Sequence, residues 1–323
     1  MHRRTLLKGL SGALACTLPW SARAAYPDKP VRIIVPLPAA SPPDVLARVI
    51  GERLQRLWGQ PVVVENRPGA TGMIGLDAVA RSAPDGYTVG IMFLTHTVLP
   101  ALFGKVSYRT DGDFAPIANL VWLYNVLMVP PDSEYTDVRG LVEQAKRQPG
   151  KLSYGSGGNG SPAHLLGAAF CQAAGIDMLH VPFKGPAEAA QALMGGYLQT
   201  MFATASVAVP LAQSGKLRAL AVTRDGGIDA LPGVPTLAAA GVPAYNLKEW
   251  EGIVAPAGTP PDLIAKWNGA MQAILADAGV RDKLAGLGME AAQPNTPSEF
   301  AGLIRGELQR WSAFVSEQKL RNG

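Results

Sequence analysis

The strongest constraint on this chain is a unit that keeps returning: an apolar β-branched run, a loop rich in Gly, Pro or Ser, then apolar residues at helical spacing. Val31-Arg32-Ile33-Ile34-Val35 reads as a buried strand, Pro36 to Pro43 as a loop, and Asp44 as the cap of a helix with Leu46, Ile50, Leu54 and Leu57 on one face. Val62-Val63-Val64 is the next strand, closed by Asn66-Arg67-Pro68-Gly69. A helix follows near Gly72 to Ser82, and Asp85-Gly86 turns into a strand from Tyr87 to Phe93. Strand–helix alternation joins parallel strands through crossover helices. The fold class expected is therefore α/β, a mainly parallel sheet flanked by helices.

The pattern restarts after about Pro130. Thr136 is the expected cap of a helix carrying Val138, Leu141, Val142 and Ala145, and Leu152-Ser153-Tyr154 is a strand. Ser161-Pro162 opens a helix, with Ser at the N-cap and Pro in the first turn. Strands are expected at Leu179 to Phe183, Leu198 to Phe202 and Leu217 to Val222, with a helix from Ala187 to Met194. Two α/β units thus lie in series. The tail holds long helices instead. Thr259-Pro260-Pro261-Asp262 and Thr296-Pro297-Ser298-Glu299 are start signals, and Phe300, Leu303, Ile304, Leu308, Trp311 and Val315 form one apolar stripe. That stripe needs a host, and the first unit is the expected one. The chain then crosses between units at least twice, near Leu120–Pro130 and near Trp250–Ala255. The expected division is residues 1–25 as a leader, 26–125 opening the first lobe, 126–250 forming the second, and 251–323 completing the first.

The first 25 residues combine a basic start (Arg3, Arg4), a mixed apolar run from Leu6 to Trp20 and a small-x-small site at Ala22-Arg23-Ala24. This is a cleavable secretory signal ending near Ala24-Ala25, too short for a membrane span. Arg3-Arg4-Thr5-Leu6-Leu7-Lys8 fits a twin-arginine signal as well as a general one. Arg3, Arg4, Lys8 and Arg23 are four of the 29 Lys and Arg residues, so the remaining chain balances 25 bases against 25 acids. The basic pI then gives no argument for nucleic-acid binding. Cys16 lacks a lipobox. Cys171, among Ala168, Ala169, Phe170 and Ala173, reads as a small buried hydrophobe with no disulfide partner. Export without disulfides suggests a periplasmic protein.

Lys151 to His164 reads KLSYGSGGNGSPAH, and Gly155, Gly157 and Gly160 match the spacing G-x-G-x-x-G. A dinucleotide-dependent oxidoreductase is therefore one alternative. It also demands an acid at the end of the next strand, to hold the ribose. Lys184 stands there, and Asp177 precedes the strand. No Lys-Ser/Thr follows Gly160, no G-x-S-x-G is present, and His96, His164 and His180 have no metal-ligand spacing. Neither catalytic residues nor a metal or cofactor is expected. A Gly-rich turn at a helix N-terminus exposes free N–H groups and the positive end of the helix dipole, which suits a carboxylate or phosphate. Pro38 to Asp44 and Gly69-Ala70-Thr71-Gly72 offer similar turns in the first unit.

The segments YPDKPVRIIVPLP, GQPVVVENRPGATGMIG, APDGYTV, PGKLSYGSGGNGSPAHL, HVPFKG, GKLRALAVT, LPGVPTLAAAGVPAY and APAGTPPDLI run in order along the chain. Together they resemble the periplasmic substrate-binding proteins of tripartite tricarboxylate transporters, often called the Bug family. The resemblance implies a two-lobed periplasmic-binding-protein (Venus flytrap) fold. It also implies a cleft for a small organic acid, no enzymatic activity, and delivery to membrane permease subunits by a receptor expected to be monomeric. Carried over by position, it points to Pro38, Ala39, Ala40, Ser41 and Asp44, then Thr95, His96 and Thr97. In the second lobe it points to Ser156, Gly157, Asn159, Gly160, Ser161 and His164, then Lys184, Gly185, Ala203 and Thr204. The family usually has Gly-Gly where this chain has Ala40-Ser41, and acids where Ala203 and Gln199 stand. The expected ligand is therefore a dicarboxylate or aromatic carboxylate without an amino group.

Overall fold

The computed structural model describes residues 26–243, 245 and 247–317, so the expected leader and Cys16 lie outside the described residues. In chain order the elements are β1 (Val31–Val35), α1 (Pro42–Trp58), β2 (Val62–Asn66), α2 (Met73–Ala80), β3 (Thr88–Phe93), α3 (Thr95–Phe103), β4 (Phe114–Leu123) and β5 (Asn125–Val129). They continue with α4 (Val138–Arg147), β6 (Ser153–Ser156), α5 (Pro162–Ala174), β7 (Leu179–Pro182), α6 (Pro186–Met194), β8 (Thr200–Thr204), α7 (Ala205–Gln213) and β9 (Arg218–Val222). The chain ends with β10 (Glu249–Pro256), α8 (Pro261–Ala276), α9 (Ala278–Gly286), β11 (Met289–Ala291) and α10 (Pro297–Glu317). Among the described residues no helix is long and apolar enough to cross a membrane.

Two sheets result, in the orders β2-β1-β3-β10-β4-β11 and β7-β6-β8-β5-β9. Each has a parallel core of three strands, β2-β1-β3 and β7-β6-β8, as the strand–helix alternation demands. The rest of each sheet pairs antiparallel. β10 lies between β3 and β4 and β11 edges β4, while β5 lies between β8 and β9. Only Tyr124 separates β4 in the first sheet from β5 in the second, and residues 223–248 bring the chain back to the first sheet.

Several helices start one or two residues from their expected positions, each for a visible reason. Asp137, not Thr136, caps α4, its Oδ1 accepting the Gly140 N–H at 2.8 Å. α1 begins at Pro42, with Asp44 inside its first turn. Thr259 turns its hydroxyl to the Pro256 carbonyl at 2.8 Å and leaves the cap of α8 to Pro260. The start of α10 is a reciprocal capping box, with Thr296 N–H on Glu299 Oε2 at 2.7 Å and Glu299 N–H on Thr296 Oγ1 at 3.2 Å.

α10 packs on α3 and β4, elements of the first sheet's unit. Its Trp311, Phe314 and Val315 belong to an apolar cluster that holds Ile34, Met92 and Val254 of the first sheet and Leu127, Phe202 and Leu220 of the second. A second cluster fills the α1, α8 and α9 face of the first sheet, and a third lies under α6 and α7 of the second.

Candidate functional site

Parallel α/β sheets place helix N-termini at the carboxyl ends of their strands. In the first sheet β1 leads into α1, and β3 passes through Leu94 directly into α3. In the second, β6, β7 and β8 lead into α5, α6 and α7. Apart from Ala203, which lies inside β8, every residue expected at the ligand lies at one of these junctions or within the first turn of the helix that follows.

The β1–α1 loop is braced from within. Asp44 is buried, and its carboxylate accepts the Ala40 N–H at 2.9 Å, the Asn66 Nδ2 at 2.9 Å, and two bonds from the Arg48 guanidinium. Burial opposes ionisation there, yet these donors together hold the carboxyl below its ordinary range. Ser41 donates to the Pro38 carbonyl at 2.6 Å. Pro42 and Pro43 remove two donors from the first turn of α1, so this helix end offers few amides to an anion.

At the start of α3, Thr95, His96 and Thr97 are fully buried. Thr97 donates its hydroxyl to Leu94 O at 2.6 Å, and His96 Nδ1 accepts the Phe93 N–H at 3.1 Å. Burial pushes His96 down to about 3, against a smaller opposing effect of the Phe93 and Gly72 backbone, so the ring is neutral. Its Nε2 packs against Gly72 without a partner of hydrogen-bonding geometry, and Thr95 Oγ1 also has no partner within the protein.

In the second unit the turn after β6 lies beside the turn after β7. A Cβ on Gly157 would sit 3.0 Å from Pro186 N, so a side chain there would push the two loops apart. Gly160 has φ +78°, and its α-carbon faces Leu102 and Leu99 of α3, which brings this turn against the first unit. Asn159 is exposed at the tip. Ser161 caps α5 through its backbone while its buried Oγ has no partner. Lys184 is exposed and its N–H donates to Glu188 Oε2 at 3.0 Å, while Gly185 caps α6 in extended conformation. Thr204 caps α7, its hydroxyl 3.3 Å from that of Ser206. Ala203 is in the apolar cluster beneath α6. Gln199 binds Ser153 N and Oγ at the opposite end of the strands, so it has no part at these junctions.

Three features lay beyond sequence reasoning. His164 and His180, sixteen residues apart, stack with centroids 3.9 Å apart, and Ser156 Oγ lies 2.6 Å from His180 Nε2. The sequence shows no nucleophile–base pair. This one forms only because β6 and β7 lie side by side. Ser156 is wholly buried, and among the described residues no carboxylate bonds His180, so the pair is no catalytic triad. The third feature is a pair of buried carboxyls, Glu249 and Glu251, at the end of β10 nearest the α3 start. Burial raises Glu249 to about 7 and Glu251 well above its ordinary value, the latter also through its neighbour Glu249. Glu249 Oε2 accepts Asn125 Nδ2 from the second sheet at 2.8 Å. Their one signal in the sequence is a pair of acids on either side of Trp250.

Two surface cavities lie elsewhere. One of about 420 Å³ is lined by Pro131, Ala212, Leu217 and Val234, and one of about 460 Å³ by Tyr124, Arg224, Lys248 and Glu290 where the chain crosses between sheets. Cys171 is half-buried and its thiol is pushed up to about 12 by burial, which makes it unreactive.

Residues 46–320 match the family described as the tripartite tricarboxylate transporter family receptor. The Bordetella pertussis protein BugT is 34% identical over 297 residues, covering 90% of this chain and 90% of BugT. A Rhodopseudomonas palustris protein solved with adipate is 30% identical with TM-score 0.82, covering 90% of this chain and 97% of its own. MatC of the same organism, with bound malate, is 31% identical with TM-score 0.79, covering 90% of this chain and 100% of its own.

Proposed function

The chain belongs to the tripartite tricarboxylate transporter receptor family, whose members are solute-binding receptors and not enzymes, and from that premise we propose that it captures a small organic carboxylate between its two α/β units and presents it to the membrane permease subunits of a tripartite transporter. The observation that carries this reading is that two of the buried hydroxyls without protein partners stand at helix N-termini. Thr95 Oγ1 stands at the N-terminus of α3 and Ser161 Oγ at that of α5, one from each unit. Buried polar groups are satisfied in the great majority of cases, so an unpartnered hydroxyl at a helix N-terminus in each unit suits an acceptor ligand. Helix N-termini favour negative charge, and hydroxyls plus amides can hold a carboxylate without an arginine.

The second unit supplies more of this site than the first. Pro42 and Pro43 remove two donors from α1 and Asp44 takes the Ala40 N–H, whereas α5 has one proline in its first turn and Ser161 keeps its hydroxyl free of protein partners. A dicarboxylate fits the two-ended arrangement, and the adipate and malate carried by the two relatives support that class. In this reading residues 1–25 are a cleaved leader and the receptor works in the periplasm as a monomer. Its lobes divide as 26–125 with 251–323, and 126–250.

The test is calorimetric titration with malate, adipate, benzoate and glutamate. Asn159→Asp puts a negative charge at the exposed tip of the turn. It is expected to raise Kd at least tenfold, about 1.4 kcal/mol, while the thermal midpoint moves little. Unchanged affinity would remove this turn from the site. Glutamate as the tightest ligand would refute the expectation of a ligand without an amino group.

A further inference from the structure

His180 sits on β7, the edge strand of the second sheet, opposite Tyr154 of β6. Its Nε2 is 2.6 Å from Ser156 Oγ. That same hydroxyl oxygen accepts the Gly158 N–H at 3.1 Å and lies 3.1 Å from the Gly158 carbonyl. Two residues on, the Gly160 N–H donates to His164 Nδ1 at 3.0 Å. The two imidazoles stack within 16° of parallel, and Tyr154 covers the other face of His180 with centroids 5.0 Å apart. Both ends of the Gly158–Gly160 turn are therefore tied to one column of three rings. Gly158 and Gly160 have positive φ values of 117° and 78°, so their backbone has many alternatives once released.

We propose that His180 is a positioning residue for the anion site: acting through the Ser156 hydroxyl, and with His164 stacked on it, it holds the turn before α5 in the shape that presents its remaining donors to the ligand. This rests on the receptor reading above. Burial, with the neighbouring ring adding to it for His180, lowers His180 to about 3 and His164 to about 4. The column is thus uncharged at neutral pH, and His164 Nδ1 is available as an acceptor. His164 and Ser156 then act on the backbone and not on the ligand. Their side chains are spent on Gly160 and Gly158, which leaves the free amides of the turn, the hydroxyl of Ser161 and the first turn of α5 for the carboxylate.

Three variants separate the bond from the ring. His180→Gln keeps a hydrogen-bonding group for Ser156, His180→Phe keeps the stack and loses the bond, and Ser156→Ala removes the partner. With malate and adipate as probes at pH 7.5, His180→Phe and Ser156→Ala are each expected to raise Kd at least tenfold. His180→Gln stays within about threefold of wild type, and the double variant Ser156→Ala/His180→Phe is no worse than either single one. Equal binding by His180→Phe, or losses that multiply in the double variant, overturn the proposal. Amide hydrogen exchange at Gly158 and Gly160 without ligand gives a second readout. It should be at least tenfold faster in His180→Phe and in Ser156→Ala, and unchanged exchange overturns the proposal as well. If wild type bound neither acid, the receptor reading would fall, while the exchange rates would still decide the role of His180.

Discussion

Ala40 has φ +64°, in the left-handed region that favours glycine. An L-residue in this region costs about 1–2 kcal/mol, part of which glycine loses again through its freer unfolded chain. The loop holds Ala40 there because its N–H must reach Asp44 Oδ2 at 2.9 Å. Ala40→Gly is therefore expected to stabilise the protein by about 0.5–1 kcal/mol in urea unfolding, after both terms are set against each other. A destabilised variant would show that the Cβ makes contacts outweighing the strain. The turn from Ser156 to Ser161 was legible because glycine spacing and a Ser-Pro helix start are local signals. The ring column of Tyr154, His164 and His180 was not, because its members come from two strands and a helix whose adjacency exists only after pairing.

At the scale of elements, the parallel strands and their helices were legible from periodicity, and the antiparallel strands were not. β4 looks like a connection because Pro116 and Asn119 interrupt its apolar run. The sheet accommodates them with two register shifts, between Glu251 and Gly252 beside Asn119 and between Ile253 and Val254 beside Pro116. β10 was hidden by Glu249 and Glu251, which alternate as a solvent-facing strand would, yet both are buried. Burial of that pair has a measurable consequence. Glu249 sits near 7 in the folded protein, above the ordinary carboxyl value, because desolvation outweighs the Asn125 hydrogen bond. The folded state therefore keeps a proton that the unfolded chain gives up. The stability linked to Glu249 is fully present below the unfolded value and is lost as pH rises through about 7. Glu249→Gln keeps an acceptor for Asn125 and carries no charge. Its expected gain over wild type is on the order of 1–3 kcal/mol at pH 8 and close to nothing at pH 4.5, read from urea unfolding at the two pH values. Parallel stability curves for the two proteins would mean that Glu249 titrates as an exposed acid.

For the molecule as a whole, the arrangement of apolar surface decides how the two units behave together. Their strands form separate sheets, but their cores do not separate, since one cluster joins Ile34, Met92 and Val254 to Leu127, Phe202 and Leu220. α10 extends that continuity, because Gln172 of α5 donates to Glu317 at 3.0 Å while Trp311 and Phe314 pack within the shared cluster. Two chain crossings, the Asn125–Glu249 hydrogen bond and the Arg224–Glu290 ion pair at 3.7 Å link the sheets at the crossover region. Independent unfolding of either unit would strip apolar surface from the other, which costs roughly 25 cal/mol per Å². Calorimetry is therefore expected to show one transition whose calorimetric and van't Hoff enthalpies agree. A ligand that binds only the folded protein should raise that single transition without splitting it, by about 2.7 kcal/mol at a hundredfold excess over Kd. Trp311→Ala removes a fully buried ring from the shared cluster and is expected to cost about 3–5 kcal/mol. Because the cluster belongs to both units, the loss should move the whole transition downward. If it instead released a separate early transition for one unit, the two cores would be energetically independent, and closure on a ligand would require only a swing about the crossings with no shared apolar surface opposing it.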